Sequence, residues 1–381
     1  MKLGFGFYRH QIDEANLRFA LQCGCTHAVV HLVDYFNQGA ANRRGDQPVG
    51  GDEGWGRAGD PGALWTYEEL AALKQRFAEA GLKLEAIENF DPAHWHDVLL
   101  DGPKKAEQLE GLKTMVRNVG RAGIPVIGYN FSLAGVAGRK KGPVARGEAE
   151  AVYMDAPEDK PIPKGMVWNM IYDPEAPDEP QPAASHEALW GRVRDFLEAV
   201  LPVAEEAGVR LAAHPDDPPL PTVRGQPRLV HRPELYEKLF DLRPSPANGA
   251  ELCLGTLAEM AEGIDLYEAV DRISRAGKIG YIHFRNVAGK VPHYRETFVD
   301  DGEIDMHRVI AILRRNGFDG VLIPDHTPAM TCDAPWHAGM AYACGYMRAL
   351  LEQADATDKK WINAGEQNGK QTYDINTKKR A

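Results

Sequence analysis

The sequence lacks the features that mark secreted, membrane-spanning and nucleic-acid-binding proteins. Its 381 residues include only five cysteines, an odd number that does not suggest a disulfide framework. With 44 Lys and Arg against 55 Asp and Glu, the net charge is −11, so neither a nucleic acid nor an anionic membrane is an expected partner. The apolar runs are too short to span a bilayer, and the first residues do not follow a secretory pattern. We therefore expect a soluble, cytoplasmic, globular protein.

The sequence motifs of several large enzyme classes are also missing. There is no Gly-x-Gly-x-x-Gly dinucleotide fingerprint, no Walker motif and no serine nucleophile elbow. Hydride transfer, phosphoryl transfer and acyl-enzyme chemistry all lose support as a result.

Short apolar or aromatic runs alternate eight times with longer segments of helical period. The predicted strands are 2–8, 27–32, 83–89, 125–131, 210–214, 250–255, 279–285 and 320–324. The predicted helices are 13–24, 66–81, 104–123, 185–208, 232–242, 264–277, 306–317 and 336–353, and six of them end in the glycine that a helix C-cap favours. This alternation predicts an α/β fold, a single (β/α)8 TIM barrel. A doubly wound open sheet is the rival, but it usually has a glycine-rich turn after its first strand, where this chain reads Phe7-Tyr8-Arg9-His10.

Two connections in this pattern are too long to be simple loops. They cover about 37–63, after the second strand, and 134–184, after the fourth. In a barrel both would lie at the carboxyl-end face, where active sites are found, so either a lid or a surface insertion or oligomer contact is possible. We expect one barrel domain over 1–356 with these insertions, and a polar C-terminal extension over 357–381.

Potential metal ligands stand at the ends of four consecutive predicted strands. They are His214, Cys253, His283 and Asp325. Neighbouring barrel strands lie under about 5 Å apart, so their ends converge at one rim. Alone, each residue has an ordinary explanation as a core residue or a helix cap, but the joint pattern predicts a metal site. Mixed nitrogen, sulfur and oxygen donors favour Mn²⁺, Fe²⁺, Co²⁺ or Zn²⁺ over Mg²⁺ and Ca²⁺, and a closed structural zinc site is less expected without clustered cysteines.

Other polar residues fall at the same predicted rim. An arginine can clamp a carboxylate, and asparagine or aspartate can hydrogen-bond hydroxyl groups, so the set suits a small, polyhydroxylated, anionic ligand. Any one member could instead make a supporting hydrogen bond or salt bridge. The residues are Tyr8, Arg9, Glu88, Asn89, Tyr129, Asn130, Asp216, Asp217, Arg285, Asn286 and His326.

Several strings of residues resemble the mannonate dehydratase family, metal-dependent lyases on a xylose-isomerase-like TIM barrel. The most specific are His214-Pro215-Asp216-Asp217-Pro218-Pro219 and Ile282-His283-Phe284-Arg285-Asn286-Val287. Weaker matches are Leu84-Glu85-Ala86-Ile87-Glu88, Tyr129-Asn130-Phe131, Val203-Ala204-Glu205-Glu206-Ala207-Gly208, Gly302-Glu303-Ile304-Asp305-Met306 and Pro324-Asp325-His326. The resemblance implies Mn²⁺ or Fe²⁺ on His214, Cys253, His283 and Asp325. It also implies a catalytic histidine at His326 and a substrate-facing arginine at Arg139.

The chain departs from the family pattern at four places. Ser132-Leu133 replaces Met-Pro after the fourth strand, and Phe298-Val299-Asp300-Asp301 stands where the family carries a histidine. The segment 37–63 has no evident counterpart. A Pro-Gly-Tyr that supplies a catalytic tyrosine aligns with Pro335-Trp336-His337, so His337 is predicted to take over the tyrosine's role.

These observations lead to the hypothesis of a sugar-acid dehydratase. It would convert D-mannonate or a similar acid to a 2-keto-3-deoxy acid by β-elimination of water, with His326 and His337 as acid and base. The alternatives are a metal-dependent sugar isomerase or epimerase, which would usually employ paired glutamate ligands, a lyase for an oxidised sugar or glycoside, and a non-catalytic sugar-acid binder. By analogy with other barrels, we expect a homo-oligomer.

Overall fold

The computed structural model describes residues 1–36, 47–49 and 54–354. The predicted extension over 357–381 and most of the segment 37–53 lie outside the described residues.

Eight parallel strands close into a barrel, as predicted. In chain order they are β1 (Lys2–Tyr8), β2 (His27–His31), β3 (Lys83–Glu88), β4 (Val126–Tyr129), β5 (Arg210–Ala213), β6 (Asn248–Cys253), β7 (Ile279–His283) and β8 (Val321–Ile323). Each strand pairs in parallel with its neighbours in the chain, and β8 pairs with β1 to close the barrel. The carboxyl ends of all eight strands therefore meet at one face of the molecule.

Eight main helices alternate with these strands. They are α1 (Glu14–Gln22), α2 (Tyr67–Glu79), α3 (Lys105–Arg121), α4 (His186–Ala207), α5 (Leu235–Leu242), α6 (Leu266–Arg275), α7 (Met306–Arg315) and α8 (335–354). Local sequence explains the helix limits: the side chain of Asp13 caps the first turn of α1, and Thr66 and Glu69 form a capping box on α2. Gly208 ends α4 at φ +68°, a conformation that glycine adopts without strain.

The barrel strands separate two apolar layers. Alternate residues point into the barrel, where Val29, Ala86, Val126, Ala212, Tyr281, Val321 and Ile323 form an inner cluster. The intervening residues, such as Ile127, point outward and pack in the larger core under the helices. Polar side chains can reach the centre only at the carboxyl ends of the strands, above this inner plug.

Part of the long connection after β4 folds back over the carboxyl-end face. Its strands Arg139–Ala145 and Ala149–Met154 form a four-stranded antiparallel sheet with Asn286–Lys290 and His293–Thr297, which follow β7. Further along, Met166–Val167 and Met170–Ile171 pair in a small sheet with Gly56–Arg57. The long connection over 134–184 thus contributes four short strands at the barrel mouth.

The remaining elements are short. They are the helices His96–Leu100 and Leu254–Glu259, the 3-10 turns Arg9–Gln11, Pro92–His94 and Arg146–Glu148, and the strand pair Thr222–Val223 and Gln226–Pro227. Within the described parts of the chain, no helix is both long and apolar enough to cross a membrane.

Candidate active site

The four residues predicted as metal ligands come together at the carboxyl-end face. The ligand atoms of His214, Cys253 and His283 all lie within 4.8 Å of one another. Asp325 adjoins them, with Oδ2 3.3 Å from Nδ1 of His283. Cys253 and His283 end β6 and β7, which pair with one another in register, so the topology of the barrel itself brings these side chains together.

Burial and charge shift the pKa values of two of these groups, Cys253 and His214. Burial alone opposes the thiolate, but the charge of Arg285 and hydrogen bonds with His214 and His283 hold the pKa of Cys253 well below its usual range. Burial also lowers the pKa of His214, yet the hydrogen bond with Cys253 and the charge of Glu251 outweigh it and raise that pKa to about 9. A buried thiolate is therefore available without prior loss of a thiol proton.

The arrangement of donor atoms fits a divalent cation. His283 Nδ1 and Asp325 Oδ2 are close, but Nδ1 has no hydrogen-bond partner among the described residues. Two ligand atoms that lie about 3 Å apart without forming a hydrogen bond have the spacing of neighbouring ligands of one ion, because metal–ligand distances are about 2.1 Å. One sulfur, two nitrogens and one oxygen suit a borderline first-row metal.

The other nitrogen of His283 faces two buried carboxylates, which the sequence analysis did not assign to the site as a pair. Nε2 of His283 lies 3.1 Å from Oε1 of Glu251 and 3.2 Å from Oε2 of Glu88. Burial raises the pKa of Glu88, but the charges of His31 and His283 outweigh the effect of burial and lower this pKa to about 2. Burial together with the charge of Glu88 raises the pKa of Glu251 to about 8, so the pair carries one negative charge at neutral pH.

Arg285 lies beside this cluster and is fully occupied by acidic partners. Its Nη1 is 2.6 Å from Oε1 of Glu259, its Nη2 is 2.9 Å from Oδ2 of Asp217, and its Nε is 3.3 Å from Oδ2 of Asp325. Its side chain is 2% exposed. The prediction that Arg285 binds substrate directly therefore needs correction: its guanidinium holds the acidic residues of the site in place.

Arg139 and His326 lie on the cleft wall, and both contact Glu296. Arg139 forms an ion pair with Glu296 and lies 3.5 Å from Asp217. Nδ1 of His326 is 3.2 Å from Oε1 of Glu296, and its Nε2 is 3.2 Å from Oδ1 of Asp325. The strand His293–Thr297, which carries Glu296, and the strand that begins at Arg139 belong to the same four-stranded sheet. The covering sheet thus contributes two charged groups to the cleft.

The remaining walls of the cleft are polar and aromatic. The polar residues predicted at the rim or from the family resemblance that line it are Tyr8, Glu88, Asn89, Asn130, Arg139, Asp217 and His326. So do residues that the sequence analysis did not select: His31, Tyr35, Gln47, Trp55 and Trp168. Tyr35, Trp55 and Trp168 pack edge to face with ring centroids 5.4 to 5.5 Å apart. A larger cavity of about 550 Å³ opens around the amino ends of the strands, away from these groups.

Two predicted residues lie outside the cleft because of the direction in which their side chains point. Tyr129 is an outward-facing residue of β4, and its ring packs 5.2 Å from that of Phe196 in α4. Arg9 is exposed in the 3-10 turn after β1 and lines a separate outer pocket with Asp60 and Asp91. Neither side chain can contact a ligand at the metal cluster.

Two further residues are occupied by the backbone of neighbouring loops. Oδ2 of Asp216 accepts hydrogen bonds from the amides of Leu229 and Val230, at 2.8 and 2.7 Å. Nδ2 of Asn286 donates to the carbonyls of Val299 and Ile304, and its Oδ1 accepts from the amide of Ile304. Asp216 and Asn286 therefore stabilise loops rather than bind substrate.

His337 is not brought to the cleft either. It lies in the first turn of α8, where its Nε2 is 3.0 Å from Oδ1 of Asn16 and its ring packs 4.8 Å from that of Phe19. The start of α8 therefore packs on α1, outside the barrel. A position equivalent to the family's tyrosine along the sequence thus does not place the imidazole near the metal cluster, and we withdraw the prediction that His337 is catalytic.

Little in the local sequence marks the site residues that the sequence analysis missed. Glu251 lies within a strand of apolar residues, and Glu296 and Trp168 come from connections that have no fixed place in a barrel. A buried charge inside an apolar strand was the one local clue, because a carboxylate there needs a partner.

Comparison with known proteins gives a consistent result. The model of the D-mannonate dehydratase (UxuA) family matches residues 1–139 and 181–360 and leaves out 140–180, which include most of the covering sheet's first two strands. A mannonate dehydratase of Streptococcus pneumoniae (strain 70585) is 33% identical over 278 residues, covering 70% of this chain and 75% of the relative. The crystal structure of mannonate dehydratase from Streptococcus suis has a TM-score of 0.74 and 26% identity, covering 94% of this chain and 95% of that one.

A more distant likeness concerns the fold alone. A structure of L-ribulose 3-epimerase has a TM-score of 0.54 at 14% identity, covering 94% of this chain and 97% of that chain. The agreement of the family model, the sequence relative and the Streptococcus suis structure is more specific. On these grounds the chain belongs to the D-mannonate dehydratase family.

Proposed function

We propose that this protein is a metal-dependent sugar-acid dehydratase, which converts D-mannonate or a close relative to a 2-keto-3-deoxy acid. The observation that carries the proposal is the meeting of His214, Cys253, His283 and Asp325 at the base of a cleft with Arg139 and His326 on its wall. Family membership supports the reaction class, and the donor set supports the metal.

The four predicted ligands are the residues that would hold the ion, with Mn²⁺ or Fe²⁺ as the proposed metal. When bound, such an ion supplies Lewis acidity, which makes the α-proton of a hydroxy acid easier to remove and stabilises the enolate-like charge that follows. The buried thiolate of Cys253 and the buried carboxylate of Asp325 support this assignment, since anionic donors offset the charge of a divalent ion.

His326 is the proposed proton-transfer group next to the metal ligands. Burial raises the pKa of Glu296, but His326 and Arg139 outweigh it and lower that pKa to about 2, so the carboxylate is ionised. Glu296 can therefore orient His326 through Nδ1, which leaves Nε2 directed towards Asp325 and the reacting centre. Arg139 has the complementary role of fixing Glu296 from its other side.

One observation favours a second candidate, a metal-dependent sugar isomerase or epimerase. The sequence analysis associated such enzymes with paired glutamate ligands, and Glu88 and Glu251 form a buried pair on His283. The cysteine in the main donor set still favours the dehydratase.

The experiment is to load the protein anaerobically with Mn²⁺ or Fe²⁺ and to assay D-mannonate and other aldonates for 2-keto-3-deoxy acid. We expect product, and loss of product after chelation that readdition of the metal restores. Absence of product from every aldonate at one bound equivalent of metal would refute the dehydratase assignment. Interconversion of ketoses by the same sample would support the epimerase instead.

A further inference from the structure

The elimination of water needs two proton transfers, and the structure leaves only one of the two predicted histidines in the cleft. We propose that His31, paired with Glu88, is the second proton-transfer group, in the place that the sequence suggested for His337. This inference rests on the proposed dehydratase function.

His31 ends β2 and lines the cleft. Its side chain is 12% exposed, so it is largely buried but open to a ligand in the cleft. The ring stacks on that of Tyr8 with centroids 4.8 Å apart and an interplanar angle of 24°. Its Nδ1 is 3.4 Å from Oη of Tyr35, and its Nε2 is 3.6 Å from Oε2 of Glu88. The imidazole is therefore held by stacking on one face and by Tyr35 at Nδ1, while Nε2 lies near Glu88 but beyond hydrogen-bond distance, so this nitrogen can exchange a proton with a ligand.

The two histidines, His31 and His326, have similar relations to His283, the central predicted ligand. Glu88 lies between His31 and His283, and Asp325 lies between His283 and His326. Each outer histidine is thus separated from His283 by a single carboxylate. A small acid bound at the metal ligands would thus meet two imidazoles, one from the end of β2 and one that follows β8, and an elimination needs both an acid and a base.

The chemistry balances without any further reactant. One imidazole takes the α-proton, and the C–H electron pair becomes the new carbon–carbon double bond. The β C–O bond then breaks, and the other histidine, as its imidazolium, gives a proton to the departing hydroxyl, which leaves as water. The resulting enol becomes the 2-keto acid. Burial lowers the pKa of His31, which favours the neutral imidazole, the form that accepts a proton, while the charge of Glu88 opposes this shift.

The test compares His31→Gln with His27→Gln in the Mn²⁺-loaded protein on D-mannonate. His27 is a buried histidine of the same strand at its amino end, hydrogen-bonded to Oγ1 of Thr26 and remote from the cleft. We expect His31→Gln to lower kcat by about 10² to 10⁴-fold with KM and metal content close to wild type. His27→Gln should keep the wild-type rate.

Exchange of the substrate's α-proton with D2O shows whether His31 acts as the acid or as the base. If His31 is the acid, His31→Gln still exchanges this proton without forming product, and if it is the base, exchange stops too. A kcat within about threefold of wild type for His31→Gln would overturn the inference, and so would a loss that follows reduced metal content in both His31→Gln and His31→Asn. Failure of the proposed function is read separately, from the wild-type protein.

Discussion

Replacement of Arg285 by methionine tests whether this arginine supports the acidic residues of the site or binds the substrate carboxylate. In the structure, Arg285 is buried and contacts Glu259, Asp217 and Asp325 at 2.6 to 3.3 Å. Its removal leaves acidic groups inside the protein without their shared counter-charge. Loss of one partner from a buried ion pair typically costs about 3 to 5 kcal/mol.

The surroundings of Glu259 and Asp217 place the expected loss in the free energy of unfolding near the lower end of that range. Burial raises the pKa of Glu259 to about 8, so this residue can take up a proton once Arg285 is gone. Asp217 keeps Arg139 at 3.5 Å as a second cation. We therefore expect the free energy of unfolding to fall by about 3 kcal/mol, which is roughly a 150-fold change in the folding equilibrium.

The assay is urea unfolding of Arg285→Met at 25 °C, with Arg146→Met as the matched control. Arg146 pairs with Asp300 at 3.0 Å, but its side chain is 46% exposed, so its loss should cost no more than about 1 kcal/mol. The double variant Arg285→Met with Glu259→Gln should unfold within about 0.5 kcal/mol of Arg285→Met, since Glu259 is already protonated and neutral once Arg285 is gone.

The opposite outcome has a clear meaning. If Arg285→Met unfolds within about 1 kcal/mol of wild type and only raises KM, then Arg285 binds the substrate carboxylate, as the sequence interpretation held. The account of Arg285 as a support for the acidic residues would then be wrong.

Three further predictions concern the metal site and its surroundings. Metal affinity, measured by chelator competition, should rise about tenfold between pH 7 and 8 and level off above pH 9. The reason is that binding must displace the proton of His214, whose pKa is raised to about 9. Equal affinity at pH 7 and pH 8 would refute this. Gly128→Ala should lower the free energy of unfolding by about 1 to 3 kcal/mol and reduce metal content, since its methyl group would lie 2.3 Å from Oε2 of Glu251 and from Oη of Tyr281. A wild-type free energy of unfolding would show that both side chains can move away. His337→Gln should leave kcat within about threefold of wild type in the D-mannonate assay, and a hundredfold loss would restore the catalytic role suggested by sequence.

The sequence by itself was sufficient for the barrel and for the meeting of the four predicted metal ligands at one face. Strand and helix periods, together with glycines such as Gly208 at helix ends, depend on local backbone preferences that the chain carries in every context. The metal ligands could be found because parallel strands of a barrel all end at one face, so strand-end residues such as Cys253 and His283 converge whatever the remaining details.

The direction of individual side chains near the strand ends was decided by the tertiary structure. A shift of one residue in a strand reverses the side that faces the centre, and this is why Tyr129 points to the helices. Asp216 and Asp217 are adjacent in sequence, but only Asp217 faces the cleft, because the loop backbone occupies the other carboxylate.

Contacts between distant segments were equally beyond the sequence. Glu88 and Glu251 are 163 positions apart in chain numbering (251 − 88 = 163), yet they meet on one nitrogen of His283. Glu296 reaches Arg139 only because two connections pair as strands of one sheet. The local sequence fixes where an element begins and which residue types it offers, whereas packing over long separations decides which of them share a site. That is the physical reason why the meeting of the four predicted ligands was predictable, whereas the contacts of Glu88 with His31 and of Glu296 with His326 were not.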